Sequence, residues 1–232
     1  MFFLLLDNCG GRYLFCLVRA CFVFFCPLNG RKEVNRKRGL VLLRLIGVLL
    51  IILGIFWAWH NIEEAHEADV ASQKIVKQLD KVIDKYPVAS EDGRLPIKTI
   101  DKTEYLGVLD IPSLNLHLPI AAQYKFEQMA KTPTRYRGSY LTNDMVLCAH
   151  NYPYHFDSLK TVDMGESLYF TTTDGQVYHY KISNRQVIKP TAVEEVYKDE
   201  KSSDDWDLSL FTCTKAGEAR VLIRAQLIGI NQ

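Results

Sequence analysis

Leu208-Ser-Leu-Phe-Thr-Cys-Thr214 and Ala219-Arg-Val-Leu-Ile-Arg-Ala225 flank a tight Lys-Ala-Gly-Glu turn near the end of the chain. Apolar and β-branched runs either side of a Gly-containing turn are a hairpin signal. A turn centred between Ala216 and Gly217 pairs residues whose numbers sum to 433. Cys213 then faces Arg220. Directly opposed residues of an antiparallel pair point to one side, with Cβ atoms ~4.5–5.5 Å apart. The same register pairs Arg224 with Ser209, about four residues or ~13 Å along the strand. Arg220 rather than Arg224 is therefore the expected partner of the thiol. A register slip of one residue would turn Arg220 to the other face.

Working outward, residues from Glu104 onward read as short strands: Tyr105–Ile111, Leu114–Ile120, Asp144–Cys148, Leu168–Thr172, Val177–Ile182, Arg185–Ile188, Leu208–Thr212 and Ala219–Ile230. About eight strands with turn signals between them predict an all-β fold, a barrel or sandwich. Ala121–Met129 and Tyr154–Leu159 read as single helical turns between strands.

The half before Glu104 is different. Residues 40–59 are apolar apart from Arg44, which is the length of one bilayer span. Arg44 can snorkel to one interface, and Trp57 and Trp59 lie where an aromatic belt is expected. Arg31, Lys32, Arg36, Lys37 and Arg38 precede the span, and Glu63, Glu64, Glu67 and Asp69 follow it. The positive-inside rule then puts the N-terminus in the cytoplasm and residues 60–232 outside a plasma membrane. A buried core helix and a cleaved signal peptide are the competing readings. Flanking charge argues against the first, and the bulky Trp-Ala-Trp-His end against the second. Ile75, Val76, Leu79, Val82 and Ile83 recur at helical spacing up to Pro87, which predicts a helix over 61–86, a stalk or a helix packed on the domain. Residues 87–103 read as a linker. The expected domains are thus 1–39, an N-terminal segment ending in the basic cluster; 40–59, the anchor; 60–103, stalk and linker; and 104–232, the strand-rich domain that holds the candidate site. Residues 1–30 hold apolar pieces too short and too interrupted for a span. They read either as a poor second membrane segment or as an upstream extension.

The chain has 232 residues, net charge +1 and six cysteines. That balance leaves no global nucleic-acid footprint. Four cysteines fall in the first 26 residues, which leaves Cys148 and Cys213 in the body. No CxxC occurs. A lone cysteine in an apolar strand is usually a small buried hydrophobe, and a Cys148–Cys213 disulfide is conceivable outside the cell. A neighbouring cation favours the thiolate, so the Cys213–Arg220 pairing points to a nucleophile instead. His150 ends the apolar strand Met145-Val-Leu-Cys-Ala-His150 and enters a turn-like Asn151-Tyr152-Pro153, which suits a site residue. His60, His66, His117, His155 and His179 are competitors best read as solvated or structural imidazoles. Cys148, His150 and Cys213 make three potential zinc ligands without an apparent fourth. No metal or cofactor is expected.

These segments together resemble sortases, the cysteine transpeptidases of Gram-positive cell surfaces. Leu208–Cys213 resembles the family's Thr-Leu-x-Thr-Cys motif, with Ser209 in place of its threonine. Arg220–Ala225 resembles its arginine-bearing last strand. Leu147-Cys-Ala-His-Asn151 resembles its apolar-Gly-His-Asn segment, with Ala149 in place of glycine. Residues 105–120 and 164–180 are similar to its opening strands and central hairpin. The resemblance covers roughly 104–230 and implies a closed β-barrel behind one anchor. It implies that Cys213 attacks a threonyl carbonyl in a C-terminal sorting signal, forming a thioacyl enzyme. Arg220 donates to the oxyanion or holds the substrate backbone, and His150 moves protons for the leaving and entering amines. Productive His150 must be protonated while Cys213 is a thiolate. With unperturbed values of ~6.5 and ~8.5 that is a minority state, and it implies a pH optimum near or above neutrality.

The implied partners are secreted proteins bearing sorting signals, a peptidoglycan-precursor amine and the lipid bilayer. Some sortases require calcium, and no acidic cluster in this sequence compels it. The stretch 184–207 and the tail after His150 suggest class B. The short C-terminus beyond the last strand disfavours a pilin-polymerising type. Residues 190–207 are expected to border the substrate groove. If glycine at 149 serves a positive φ, Ala149 is strained. The rival functions are a non-catalytic surface β-domain that binds a partner, and a cysteine protease that only hydrolyses.

Overall fold

The computed structural model describes residues 34–83, 95–197, 205–214 and 217–231. The expectations for residues 1–30, the helix stop at Pro87 and the Lys215-Ala216 turn lie outside the described residues. The chain divides into two compact units, Met1–Glu63 and Glu64–Gln232. One helix, α1 (Val34–Val82), begins in the first and continues in the second. The apolar run at 40–59 and the helical face expected after it thus lie on one uninterrupted helix, as an unbroken run of helix-compatible residues without proline allows. Its apolar side chains from Leu40 to Trp59 are largely exposed. Within Gly39–Val82 it is long and apolar enough to cross a membrane, judged by length and composition.

In the second unit α1 does not stand free as a stalk. Ala65, Ala68, Ser72, Ile75, Val76 and Leu79 are buried. Their spacing of three to four residues makes one face. Ile75 and Leu79 pack with Tyr105, Val108 and Ala121. Ser72 Oγ donates to the Lys131 carbonyl at 2.8 Å and lies 3.2 Å from His155 Nε2.

Nine strands are seen among the described residues: β1 (Lys98–Ile100), β2 (Thr103–Ile111), β3 (Leu116–Ala121), β4 (Thr134–Arg137), β5 (Met145–Cys148), β6 (Ser167–Thr172), β7 (Val177–Ile188), β8 (Leu208–Cys213) and β9 (Arg220–Asn231). They run in the order β1-β2-β3-β4-β5-β8-β9-β7-β6, and β2 also pairs with β6. That last pairing closes eight strands into a ring, with β1 added on β2 beside the closure. The all-β expectation holds. Sequence patterning misses two short strands. β1 lies inside the stretch read as linker. β4 is four residues long, and its Tyr136-Arg137 half is not fully buried, so it carries no clear alternation. The two strands expected at Val177–Ile182 and Arg185–Ile188 are one, β7, whose pairing with β9 is irregular at Ile182/Asn184. A bulge lets a strand continue through a break in its pattern. Pro112–Leu114 is a 3-10 turn, so β3 starts at Leu116 rather than Leu114.

Leu106, Leu109, Ile120, Met145, Leu147, Phe156, Phe170, Leu208 and Ile223 belong to the main core inside the ring. A second cluster joins Val146, Ile188, Val196, Trp206 and Leu222 on the other side of the sheet. Gly107 makes the closure possible. A Cβ there would run into the Thr171 carbonyl, in the strand that β2 meets to close the ring. Most strand pairs are antiparallel, but β5 and β8 are parallel, with Met145 opposite Leu208 and Cys148 opposite Phe211. This crossover brings the ends of two strands distant in sequence to one place.

Candidate active site

The pairing of β8 with β9 follows the register read from the hairpin. Ser209 is opposite Arg224, and Cys213 is opposite Arg220. Both partners of that last pair are partly exposed. On either side of the turn, Thr214 N–H donates to Ala219 O at 2.9 Å and Gly217 N–H to Thr214 O at 2.9 Å. Gly217 has φ +72°, the left-handed conformation that glycine adopts without strain. The buried residues Leu208, Leu210, Val221 and Ile223 hold the register through their alternation.

His150 arrives from the other side of β8. The parallel β5–β8 pairs share one spacing, 145 with 208 and 148 with 211, which puts residue 150 level with 213. The hydrogen bonds continue beyond the end of β5. Ala149 N–H donates to Phe211 O at 3.4 Å, Thr212 Oγ1 to Ala149 O at 2.9 Å, and Asn151 Nδ2 to Thr214 O at 3.4 Å. Ala149 is buried and not in the left-handed region, so its methyl brings no backbone strain. The cavity at this end has a volume of about 290 Å³, and His150, Cys213 and Arg220 all line it. Tyr124, Phe126, Tyr136 and Phe211 supply aromatic wall, and Lys189, Pro190, Ala192 and Val196 form its far border. Of the stretch 190–207 expected at the groove, Pro190, Ala192 and Val196 line the cavity, and Trp206 is buried in the cluster on the other side of the sheet. The aromatic wall has no counterpart in the sequence reading. Its members come from three separate segments and share no local pattern.

The electrostatics separate the two thiols. Cys148 is buried and lies 3.3 Å from Thr134 Oγ1. Burial pushes its thiol up to about 12, against a smaller opposing effect of that hydrogen bond. It stays a protonated thiol at neutral pH, whereas the Cys213 side chain opens on the cavity. Both are free cysteines. No group of three His, Cys, Asp or Glu side chains among the described residues could hold a metal ion. Burial draws His150 below the ordinary imidazole value, with Glu64 pulling it back up. Its ring stacks on Tyr152 at 5.1 Å and meets the edge of Phe126 at 5.7 Å.

Arg220 Nη1 donates to the Gly217 and Ala219 carbonyls, each at 3.1 Å, so the loop holds the side chain. A guanidinium has five N–H donors, so others remain for a substrate oxygen. Arg224 is buried instead. Its Nη2 donates to Glu195 O at 2.7 Å, and the guanidinium lies 5.7 Å from the centre of the Trp206 ring. Of the competing histidines, His117 lies 3.9 Å from Asp110 and His179 is 2.9 Å from Ser167 Oγ, whereas His155 is fully buried beside Tyr152 and close enough to act on His150.

A family model for the sortase domain matches residues 109–228. Among solved structures, a sortase D5 transpeptidase of Clostridium perfringens superposes with a TM-score of 0.56 at 19% identity, over 69% of this chain and 99% of that one. Sortase C-3 of Streptococcus pneumoniae gives 0.50 at 18% identity, over 74% of this chain and 86% of that one. Neither is a class B enzyme, so they lend nothing to that assignment. No curated protein matches the sequence. The fold agrees with these structures, and the family model covers more than half of the chain, from within β2 to near the end of β9; the chain belongs to the sortase family.

Proposed function

We propose that this protein is a membrane-anchored cysteine transpeptidase that joins a secreted protein to a cell-wall amine. The observation that carries the proposal is one cavity lined by a partly exposed cysteine, a histidine and an arginine from three different strand ends. Cys213 Sγ, as thiolate, attacks the carbonyl carbon of a threonyl peptide bond in a C-terminal sorting signal. Arg220 donates to the oxygen that gains charge. His150 gives a proton to the departing amine, and the bond between threonine and the next residue breaks to leave a thioacyl enzyme. An amine of a peptidoglycan precursor then enters, His150 takes its proton, and the thioester is replaced by an amide. Burial of His150 makes its protonated form scarcer, so the doubly productive state is a small fraction of the enzyme.

Residues 40–59 serve as the anchor, with the basic segment before them in the cytoplasm and the catalytic unit outside the plasma membrane. This position meets substrates as they leave the bilayer. Residues 104–232 serve as the catalytic domain, and the part of α1 that packs on it through Ile75 and Leu79 belongs to the same compact unit, Glu64–Gln232.

The test is a pentapeptide library presented to the full-length chain in detergent with diglycine as acceptor, read by mass. The expected product is an amide joining the threonyl fragment to diglycine, absent in C213A. A product that is mainly free acid would make the enzyme a hydrolase. If Cys213 in the folded chain fails to react with a methanethiosulfonate, the nucleophile is wrong and a binding domain is the better reading.

A further inference from the structure

His150 is held by an arrangement that begins on α1. Its ring stacks on Tyr152 with a centroid distance of 5.1 Å and an interplanar angle of 28°. The Tyr152 hydroxyl donates to Glu64 Oε1 at 2.8 Å, across 88 residues of sequence. Glu64 is not carried on a flexible loop. It precedes Ala65 on a helix whose docked face includes Ala65, Ala68 and Ser72, all buried. Two alanines and a serine let the helix approach the domain closely, which fixes where the carboxylate can reach. A hydrogen bond to a carboxylate is roughly twice as strong as one between neutral groups.

Resting on the catalytic role proposed for His150, we propose that Tyr152 and Glu64 are positioning residues for it: Tyr152 fixes the imidazole by stacking, and Glu64 anchors Tyr152 and stabilises the imidazolium through its charge. The groups that face His150 are Phe126 from α2 (Phe126–Met129), Tyr152 and His155 from the loop after β5, Cys213 and Arg220 at the cavity, and Glu64 from α1. Glu64 is the one carboxylate in that set. Its charge opposes the effect of burial on His150. Burial, and then the hydrogen bond to Glu64 and its charge, push Tyr152 up to about 12, so that hydroxyl remains a donor across the working pH range. The step needing this support is the protonation of the leaving amine, which fails if the ring is neutral or turned away.

The experiment compares wild type, E64Q, Y152F and H150A as full-length chains in detergent. Peptide transfer to diglycine is followed against pH, with kcat and KM separated, alongside melting temperature and the rate of Cys213 alkylation. E64Q should keep its melting temperature and its KM. Its acid limb should move down by about half a pH unit, with kcat at neutral pH about threefold lower, because fewer enzymes hold a protonated His150 beside a thiolate. Y152F keeps the ring but loses the anchor, and should lose kcat with KM unchanged. It carries the test if E64Q lowers the melting temperature. A dead H150A with E64Q and Y152F superimposing on wild type at every pH overturns this inference and leaves the role of His150 standing. An H150A that still transfers peptide while Cys213 alkylates normally removes both.

Discussion

Arg220 and Arg224 lie four residues apart on β9, yet one lines the cavity and the other is buried beside Trp206. The difference follows from position along one strand. Arg220 is at the open end of the hairpin, and Arg224 is opposite Ser209 in the middle of the sheet. Replacing them should therefore fail in different ways. R220A should lower kcat by about 10²–10³, the usual cost of losing an oxyanion donor, with melting temperature unchanged. R224A should destabilise the protein by about 1–3 kcal/mol, because the Glu195 carbonyl loses its donor. Steady-state kinetics beside thermal melts separate the two, and the reverse pattern would make Arg224 the catalytic arginine and Arg220 the structural one. The hairpin arithmetic alone distinguished these arginines, since register is a local property of paired strands. The identity of the buried partners of Arg224 was not legible. Glu195 and Trp206 lie in a connecting stretch whose packing depends on the opposite side of the sheet.

At the scale of the element, α1 is joined to the barrel by a buried polar contact as well as apolar packing. His155 is fully buried, and its Nε2 is 3.2 Å from Ser72 Oγ. Burial lowers its pKa to about 4, the nearby His150 adds to this, and the Ala68 backbone acts in the opposite direction. The folded protein thus favours the neutral ring. This stability is present in full above pH ~6.5 and is lost as pH falls towards 4, on the order of 3 kcal/mol in all. Urea unfolding of the full chain should show wild type losing more stability between pH 7 and pH 4 than H155Q does. Equal losses in both would mean that the ring is not the titrating group. The helix itself was legible from its 3.6-residue spacing. Its docking was not, because apolar spacing says that a face is buried and not against what.

At the scale of the molecule, ring and helix share one apolar cluster. Ile75 and Leu79 cover Tyr105, Val108 and Ala121 from outside the ring. Burial of each large aliphatic side chain stabilises by ~1.5–3 kcal/mol. A soluble piece starting at Glu64 should melt cooperatively and transfer peptide. One starting at Leu95 should lose on the order of 5 kcal/mol and bind an apolar dye through the uncovered face. Equal melting temperatures for the two pieces would show that the helix is only a tether. The closed ring belongs to the same scale. It depends on β2 meeting β6 over Gly107, a contact between segments more than sixty residues apart.

The sequence by itself determined the features that rest on local periodicity. These are an apolar span of bilayer length, a helical face after it, a strand-rich remainder, and a hairpin register placing Cys213 across from Arg220. Each follows from spacing along one or two neighbouring segments. Tertiary structure decided what depends on crossovers and docking. The parallel β5–β8 pairing brings His150 level with Cys213, although 63 residues separate them. The docked helix carries Glu64 to Tyr152, and the aromatic wall is assembled from three segments. These segments lie far apart along the chain, so only closure of the ring and docking of one face of α1 could bring them together.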